Sequence, residues 1–148
     1  MVYLDSVTIS QRSKIILSDI RFEVNPGEFV FLIGKTGSGK SSLIKVLYGE
    51  IFVDQGKGNV VGFDINNLNK NNIHLLRRKI GIIFQDFQLL KDRTVYKNLE
   101  FVLKATGWTN SMSINEQIKS CLDKVHISEL SEKYPSQLSG GQKQRVAL

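Results

Sequence analysis

A chain of 148 residues, 41% of them hydrophobic and 23% charged, has the make-up of one folded domain and could bury roughly 69% of its unfolded surface, which excludes the disordered classes. No apolar run approaches the ~20 residues of a membrane-spanning helix, and Met1-Val2-Tyr3-Leu4-Asp5 carries an acid where a signal peptide needs a basic and then a long apolar stretch, so a cytoplasmic location is expected. The net charge of +6 raises nucleic acid or an anionic surface as partners, but the densest basic groups, Arg77-Arg78-Lys79 and Lys143-Gln144-Arg145, lack interleaved aromatics and read as solvated faces with no nucleic-acid partner.

In chain order, Val2 to Ile9 and Ile15 to Val24 alternate as two strands of a hairpin, closed off by the turn Asn25-Pro26-Gly27-Glu28. Phe29-Val30-Phe31-Leu32-Ile33 is apolar on both faces, the pattern of a strand buried inside a covered sheet. A glycine-rich loop from Gly34 to Gly39 leads into a helix from Lys40 to Tyr48, with Leu43, Val46 and Leu47 on one face and Gly49 as the stop. Gly56, Gly58 and Gly62 punctuate a turn-rich stretch with a short strand at Asn59 to Val61. An asparagine-rich loop, a short helix around His74 to Lys79 and a strand at Ile80 to Phe84 follow.

From Thr94 the pattern turns helical: Val95 to Thr106 carries Leu99, Val102 and Leu103 on one side behind a threonine cap. Ser113-Ile114-Asn115-Glu116 has the capping-box pattern and opens a second helix through Ile118, Cys121, Leu122 and Val125. Pro135 closes that region, and a third helix begins after Ser139, three positions before Gln142. The single cysteine, Cys121, reads as core filler in a reducing compartment.

Two constellations carry chemistry. Gly34-Lys35-Thr36-Gly37-Ser38-Gly39-Lys40-Ser41 fits the phosphate-loop pattern G-x-x-x-x-G-K-[ST] between an apolar run and an amphipathic helix. Its glycines let consecutive N–H groups curl around an anion, the helix start adds its positive dipole end, Lys40 is placed for β and γ phosphates, and the Ser41 hydroxyl for Mg2+. Leu138-Ser139-Gly140-Gly141-Gln142 is a second helix start with bared backbone N–H groups, and so a second place to meet an anion. The residues alone do not say which anion.

The phosphate loop from Gly34 through Ser42, Gln85 after an apolar run, and Leu138-Ser139-Gly140-Gly141-Gln142-Lys143-Gln144-Arg145 together resemble the ATP-binding-cassette (ABC) ATPases over essentially the whole chain. The resemblance implies an α/β P-loop NTPase fold with an N-terminal antiparallel β subdomain, a core over about 1–85 and 138–148, and a helical subdomain over about 86–137. It implies ATP and Mg2+ as ligands: Lys40 and Gln85 act in catalysis, Ser41 and Gln85 hold the metal, and Gly34, Lys35, Thr36, Gly37, Ser38, Gly39, Lys40, Ser41 and Ser42 hold the phosphates. It also implies a head-to-tail homodimer, in which the γ phosphate on one phosphate loop meets Ser139, Gly140, Gly141 and Gln142 of the other copy. An integral membrane partner comes with it, placing the chain on the inner face of the plasma membrane. The wording of Leu76 to Leu90 and Leu103 to Trp108 is similar to the cell-division branch, for which that partner is FtsX; the lipoprotein-releasing and macrolide-export branches and the soluble, non-transport members are the alternatives.

Two departures qualify the resemblance. The family's apolar run ending in Asp-Glu and its histidine loop are absent: Ile51-Phe52-Val53-Asp54 lacks the glutamate, and His74 and His126 stand elsewhere, as surface or helix-end residues. The chain therefore reads as the front part of a longer protein, truncated after the start of the signature helix, whose 148 residues alone turn over ATP near background. The family's aromatic beside the adenine is also missing near Ser10, where Ile9 and Gln11 flank the matching position, and weak discrimination among purines is expected. Tyr3 is expected to face the sheet, and Trp108 to serve as a partner-facing anchor or a helix-end packing residue.

Overall fold

The structure is a computed structural model that describes residues 1–148. It divides into two compact units, Met1–Gly81 and Ile82–Leu148.

The first unit is built on an antiparallel sheet of strands β1 (Val2–Gln11), β2 (Lys14–Val24), β3 (Gln55–Val60) and β4 (Phe63–Asp64), in the order β2-β1-β3-β4. The expected hairpin is therefore present, and the short strand begins at Gln55, earlier than its side-chain pattern suggests. Leu4, Val7 and Ile9 of β1 point to one face and are fully buried. Against that face packs helix α1 (Lys40–Leu47) through Leu43 and Val46, joined by Val60, Ile65, Leu68 and Leu76. Helix α2 (Ile73–Arg77) is the short helix read around His74.

The far end of α1 is tied down by charge. Glu50 receives Lys45 Nζ at 2.5 Å and the buried Tyr48 hydroxyl, while Arg77 Nε donates to the Tyr48 carbonyl at 3.1 Å with its guanidinium 6.0 Å from the Tyr48 ring. Burial and then the Glu50 hydrogen bond push the Tyr48 phenol up to about 12. The Lys45 ammonium, seconded by the Tyr48 hydroxyl, holds the Glu50 carboxyl below its ordinary range.

Two expected strands do not form. Phe29 to Ile33 and Ile80 to Phe84 pair with no strand, and Phe29, Phe31 and Ile33 are 82%, 77% and 86% exposed. A run that is apolar on both faces becomes a strand only with hydrogen-bonded neighbours at its edges and layers over both faces, and none of the four strands pairs with it. What remains of its cohesion is local: the Phe29 and Phe31 rings meet edge to face, 4.9 Å apart.

The second unit is helical: α3 (Val95–Ala105), α4 (Ser111–Lys124) and α5 (Gly140–Ala147), with 3-10 turns at Ser128–Leu130 and Pro135–Gln137. Its core is Val95, Ile114, Ile118, Leu122, Ile127, Leu138 and Val146. Thr94 caps α3 by accepting the Lys97 N–H at 3.2 Å, as its sequence position suggests. For α4 the reading is corrected: the helix begins at Ser111, and the cap is Asn110, whose Oδ1 accepts the Ser113 N–H at 3.0 Å. Ser113 lies inside the first turn because asparagine is at least as good a cap as serine and precedes it. His74 and His126 are exposed, as expected, whereas Cys121, read as core filler, is only half-buried in α4 and lies outside the helical unit's core. Tyr3 and Trp108 are each 39% exposed. No helix is long and apolar enough to cross a membrane.

Candidate nucleotide site

The loop from Gly34 to Gly39 closes around a lysine. Lys40, the first residue of α1, turns its Nζ back to donate to the Gly34 carbonyl at 2.7 Å and the Lys35 carbonyl at 2.8 Å, and the Ser38 N–H donates to the Lys35 carbonyl at 3.2 Å. Gly39 sets the entry into the helix at φ 88°, a left-handed conformation, and a Cβ there would stand 2.6 Å from Leu17 Cδ2 of β2. Both the dihedral and the neighbour demand glycine.

A glycine N-cap offers no side-chain acceptor. The first intrahelical bond of α1 is Leu43 N–H to the Gly39 carbonyl at 2.9 Å, so the N–H groups of Lys40, Ser41 and Ser42 point out of the helix start, with no acid in the first turn to compete for them. Bare donors, the positive end of the helix dipole and one ammonium converge on the loop, an arrangement that takes an anion of phosphate type. Thr36, Gly37 and Ser41 are exposed and Ser42 is half-buried.

A metal is tested here by its donors. No group of three His, Cys, Asp or Glu side chains gathers in the chain. The exposed Ser41 hydroxyl in the first turn of α1 is a neutral oxygen donor of the kind that completes the shell of an Mg2+ held mainly by phosphates. The residues present fit Mg2+ arriving with a nucleotide.

Gln85 and Ser139 to Gln142 belong to the second unit. Gln85 is exposed and opens a turn in which the Phe87 N–H donates to the Phe84 carbonyl at 2.9 Å and both Phe87 and Gln88 are left-handed, at φ 59° and 46°. Sequence reasoning passed over the residue that holds the following segment. Asn98 of α3, 7% exposed, accepts the Leu90 N–H and donates its Nδ2 to the carbonyls of Leu90, Arg93 and Thr94. The available signal was an asparagine in the first turn of an otherwise apolar helical face, where a polar residue needs a buried partner.

Ser139 and Gln142 form the expected capping box: Ser139 Oγ accepts the Gln142 N–H at 3.3 Å, and Gln142 Oε1 accepts the Ser139 N–H at 2.8 Å. Gly140 and Gly141, between them, have ordinary backbone angles, and a Cβ added to either meets nothing within 4 Å. Two exposed glycines at a helix start sacrifice about 1 kcal/mol each relative to alanine, and no conformational or packing need inside the chain explains them.

Residues 17–148 match the family model described as ABC transporter. The cell division ATP-binding protein FtsE of Escherichia coli is 41% identical over 132 residues, covering 89% of this chain and 59% of that protein. FtsE of Mycobacterium tuberculosis is 39% identical over 150 residues, covering 100% and 65%. FtsE of Streptococcus pneumoniae is 37% identical over 132 residues, covering 89% and 57%. Among solved structures, the ATP-binding cassette MJ0796, a dimer bound to ADP and Pi after hydrolysis, superposes with a TM-score of 0.87 at 30% identity, over 99% of this chain and 67% of that one. The chain thus spans 57% to 65% of the length of these relatives.

Proposed function

We propose, from the premise that this chain belongs to the ABC transporter family and has its α/β P-loop NTPase fold, that it is an FtsE-like ATP-binding subunit. It takes ATP with Mg2+: Gly34 to Ser42 bind the triphosphate, Lys40 reaches the β and γ phosphates, and Ser41 and Gln85 supply the metal's protein oxygens. Two copies join head to tail, each presenting Ser139, Gly140 and Gly141 to the γ phosphate held by the other. An FtsX-like integral membrane subunit receives the nucleotide-dependent change at the inner face of the plasma membrane, coupling ATP to cell division. Residues 1–85 and 138–148 form the nucleotide-binding core of this assembly, and 86–137 its helical part.

The observation that supports this reading best is the pair Gly140 and Gly141: exposed, at a helix start, with no need inside the chain for the absence of a side chain. A nucleotide phosphate carried by a second copy is an anion that such a bare start accepts. Sedimentation of the chain with ATP and Mg2+ is expected to show a dimer that disappears without nucleotide. Gly141→Asp, which sets a carboxylate in that space, is expected to keep ATP binding and lose the dimer. A nucleotide-independent dimer, or one indifferent to Gly141→Asp, overturns the head-to-tail arrangement.

A further inference from the structure

The second unit holds a cavity of about 220 Å³, and none of the residues assigned to the nucleotide lines it. It lies where α3, α4 and the 3-10 turn at Ser128–Leu130 meet. Its shape follows from the helical repeat of α4. Ile118 and Leu122 stand one turn apart, as do Asn115 and Lys119, and the two pairs run side by side, about 60° apart around the helix. Ile118 and Leu122 are buried and form an apolar floor, while Asn115 and Lys119 are exposed and form the mouth. Tyr96 of α3 is the facing wall. Its hydroxyl donates to Asn115 Oδ1 and its backbone N–H to the Ser131 carbonyl at 2.8 Å, so the residue is held from both ends.

Lys119 is the only charged residue lining the cavity. It forms no ion pair, and the acids beside the two lining serines are engaged: Asp123 accepts the Ser128 hydroxyl, and Glu132 the Ser131 hydroxyl at 3.4 Å. Lys97, whose Nζ lies 5.5 Å from the centre of the Tyr96 ring, is bound to Glu100 at 2.8 Å. With Asn115 Oδ1 taken by Tyr96, the Nδ2 of that amide keeps its donors. The mouth therefore offers one ammonium and one amide N–H group, a turn apart on one helix, above a floor of two aliphatic side chains.

We infer that this cavity is a second ligand site, and that it takes a small monocarboxylic acid with an apolar body. The body covers Ile118 and Leu122 against the Tyr96 ring, and the carboxylate receives Lys119 Nζ and Asn115 Nδ2. Size sets the class: a cavity of about 150 Å³ already holds a benzene ring, so this one has room for a ring and a short acidic arm. It is smaller than the roughly 300 Å³ at which sites for drug-sized ligands begin. Charge sets the head group. One ammonium matches one negative charge, and a phosphate dianion would leave a second charge uncompensated over an apolar floor. A neutral amide would forgo the charge-assisted hydrogen bond. The site stands apart from the phosphate-loop reading, since the two share no residue.

The test is a titration of the isotope-labelled chain with phenylacetate, phenylacetamide, phenyl phosphate and acetate, followed by backbone amide NMR shifts. Phenylacetate is expected to shift the amides of Tyr96, Ile118, Lys119 and Leu122 to saturation. Phenylacetamide and acetate are each expected to bind at least about tenfold more weakly, the first for want of the charge and the second for want of the ring. Lys119→Gln, at an exposed position, is expected to keep the fold, to bring phenylacetate down to the phenylacetamide level and to leave phenylacetamide unchanged. Absence of shifts at these residues, equal binding of acid and amide, or a preference for the acid that survives Lys119→Gln overturns the inference. Phenyl phosphate binding more tightly than phenylacetate overturns the choice of a carboxylate.

Discussion

Asn98 and Leu90 hold each other from both sides: Asn98 Oδ1 accepts the Leu90 N–H at 2.7 Å, and Asn98 Nδ2 donates to the Leu90 carbonyl at 3.1 Å. The same amide nitrogen reaches the carbonyls of Arg93 at 3.2 Å and Thr94 at 2.9 Å. One side chain thereby substitutes for the missing secondary structure between the Gln85 turn and α3. Asn98→Ala leaves a buried N–H and carbonyl groups without partners, each worth about 1–3 kcal/mol. A loss of about 2–4 kcal/mol in urea unfolding of the second unit is expected, with Asn98→Asp recovering only part of it because a carboxylate cannot donate to the three carbonyls. An unchanged midpoint would mean that water replaces the amide at no cost.

The contact of Leu17 with Gly39 gives a second expectation. Gly39→Ala adds a methyl 2.6 Å from Leu17 Cδ2 and places a non-glycine residue at φ 88°. The substitution is expected to cost about 1–3 kcal/mol and to weaken phosphate binding, because the helix start it distorts is the one that presents the bare N–H groups. Adding Leu17→Ala removes the collision and not the dihedral strain, so a double-mutant cycle is expected to show partial rescue of stability. Full rescue would mean that the dihedral is not strained; no rescue, that the collision relaxes on its own.

The contrast between what was and was not legible in the sequence follows from how local each interaction is. The glycine-rich loop leading into α1, the Thr94 and Ser139 caps and the β1–β2 hairpin depend on neighbours within a few residues, and each forms locally as its residues suggest. Phe29 to Ile33 depends on strands beside it and layers over it, and the apolar run by itself cannot supply them. Asn98 escaped notice because its partners are carbonyls, which no residue type advertises. Asn110 displaced Ser113 as the cap because two good capping residues three positions apart compete, and the sequence pattern weighs them about equally.

Charge at the end of α1 sets a pH dependence. Tyr48 is raised to about 12 in the folded chain, so the unfolded chain gives up that proton first: stability is full below about pH 10 and falls as pH rises toward 12. Glu50 is lowered, so its contribution is present above the ordinary glutamate range near pH 4.5 and is lost as pH falls below it. Tyr48→Phe is expected to flatten the alkaline limb of a stability–pH profile and, by taking a donor from Glu50, to shrink the acid limb. An alkaline limb of the same slope in Tyr48→Phe would place its origin in another group.

The strongest expectation concerns Lys40. Its ammonium already bridges the Gly34 and Lys35 carbonyls, so the loop's shape and the loop's charge are supplied by one side chain. Lys40→Ala removes both, and calorimetry is expected to show no measurable binding of ATP. Lys40→Arg separates the two roles: it keeps the positive charge, but a planar guanidinium does not reproduce the compact ammonium that fits between two carbonyls 2.7 and 2.8 Å away. If charge alone mattered, Arg would restore binding; if the closure of the loop matters, Arg is expected to remain at least about tenfold weaker than Lys, some 1.4 kcal/mol. The N–H groups of α1 are unchanged in both variants, so the residual affinity of Lys40→Arg for tripolyphosphate measures what the helix start and the retained charge contribute together once loop closure is gone. ATP affinity unchanged in Lys40→Ala would sink the assignment of this loop as the phosphate site, because no other cation in the loop is held against its carbonyls.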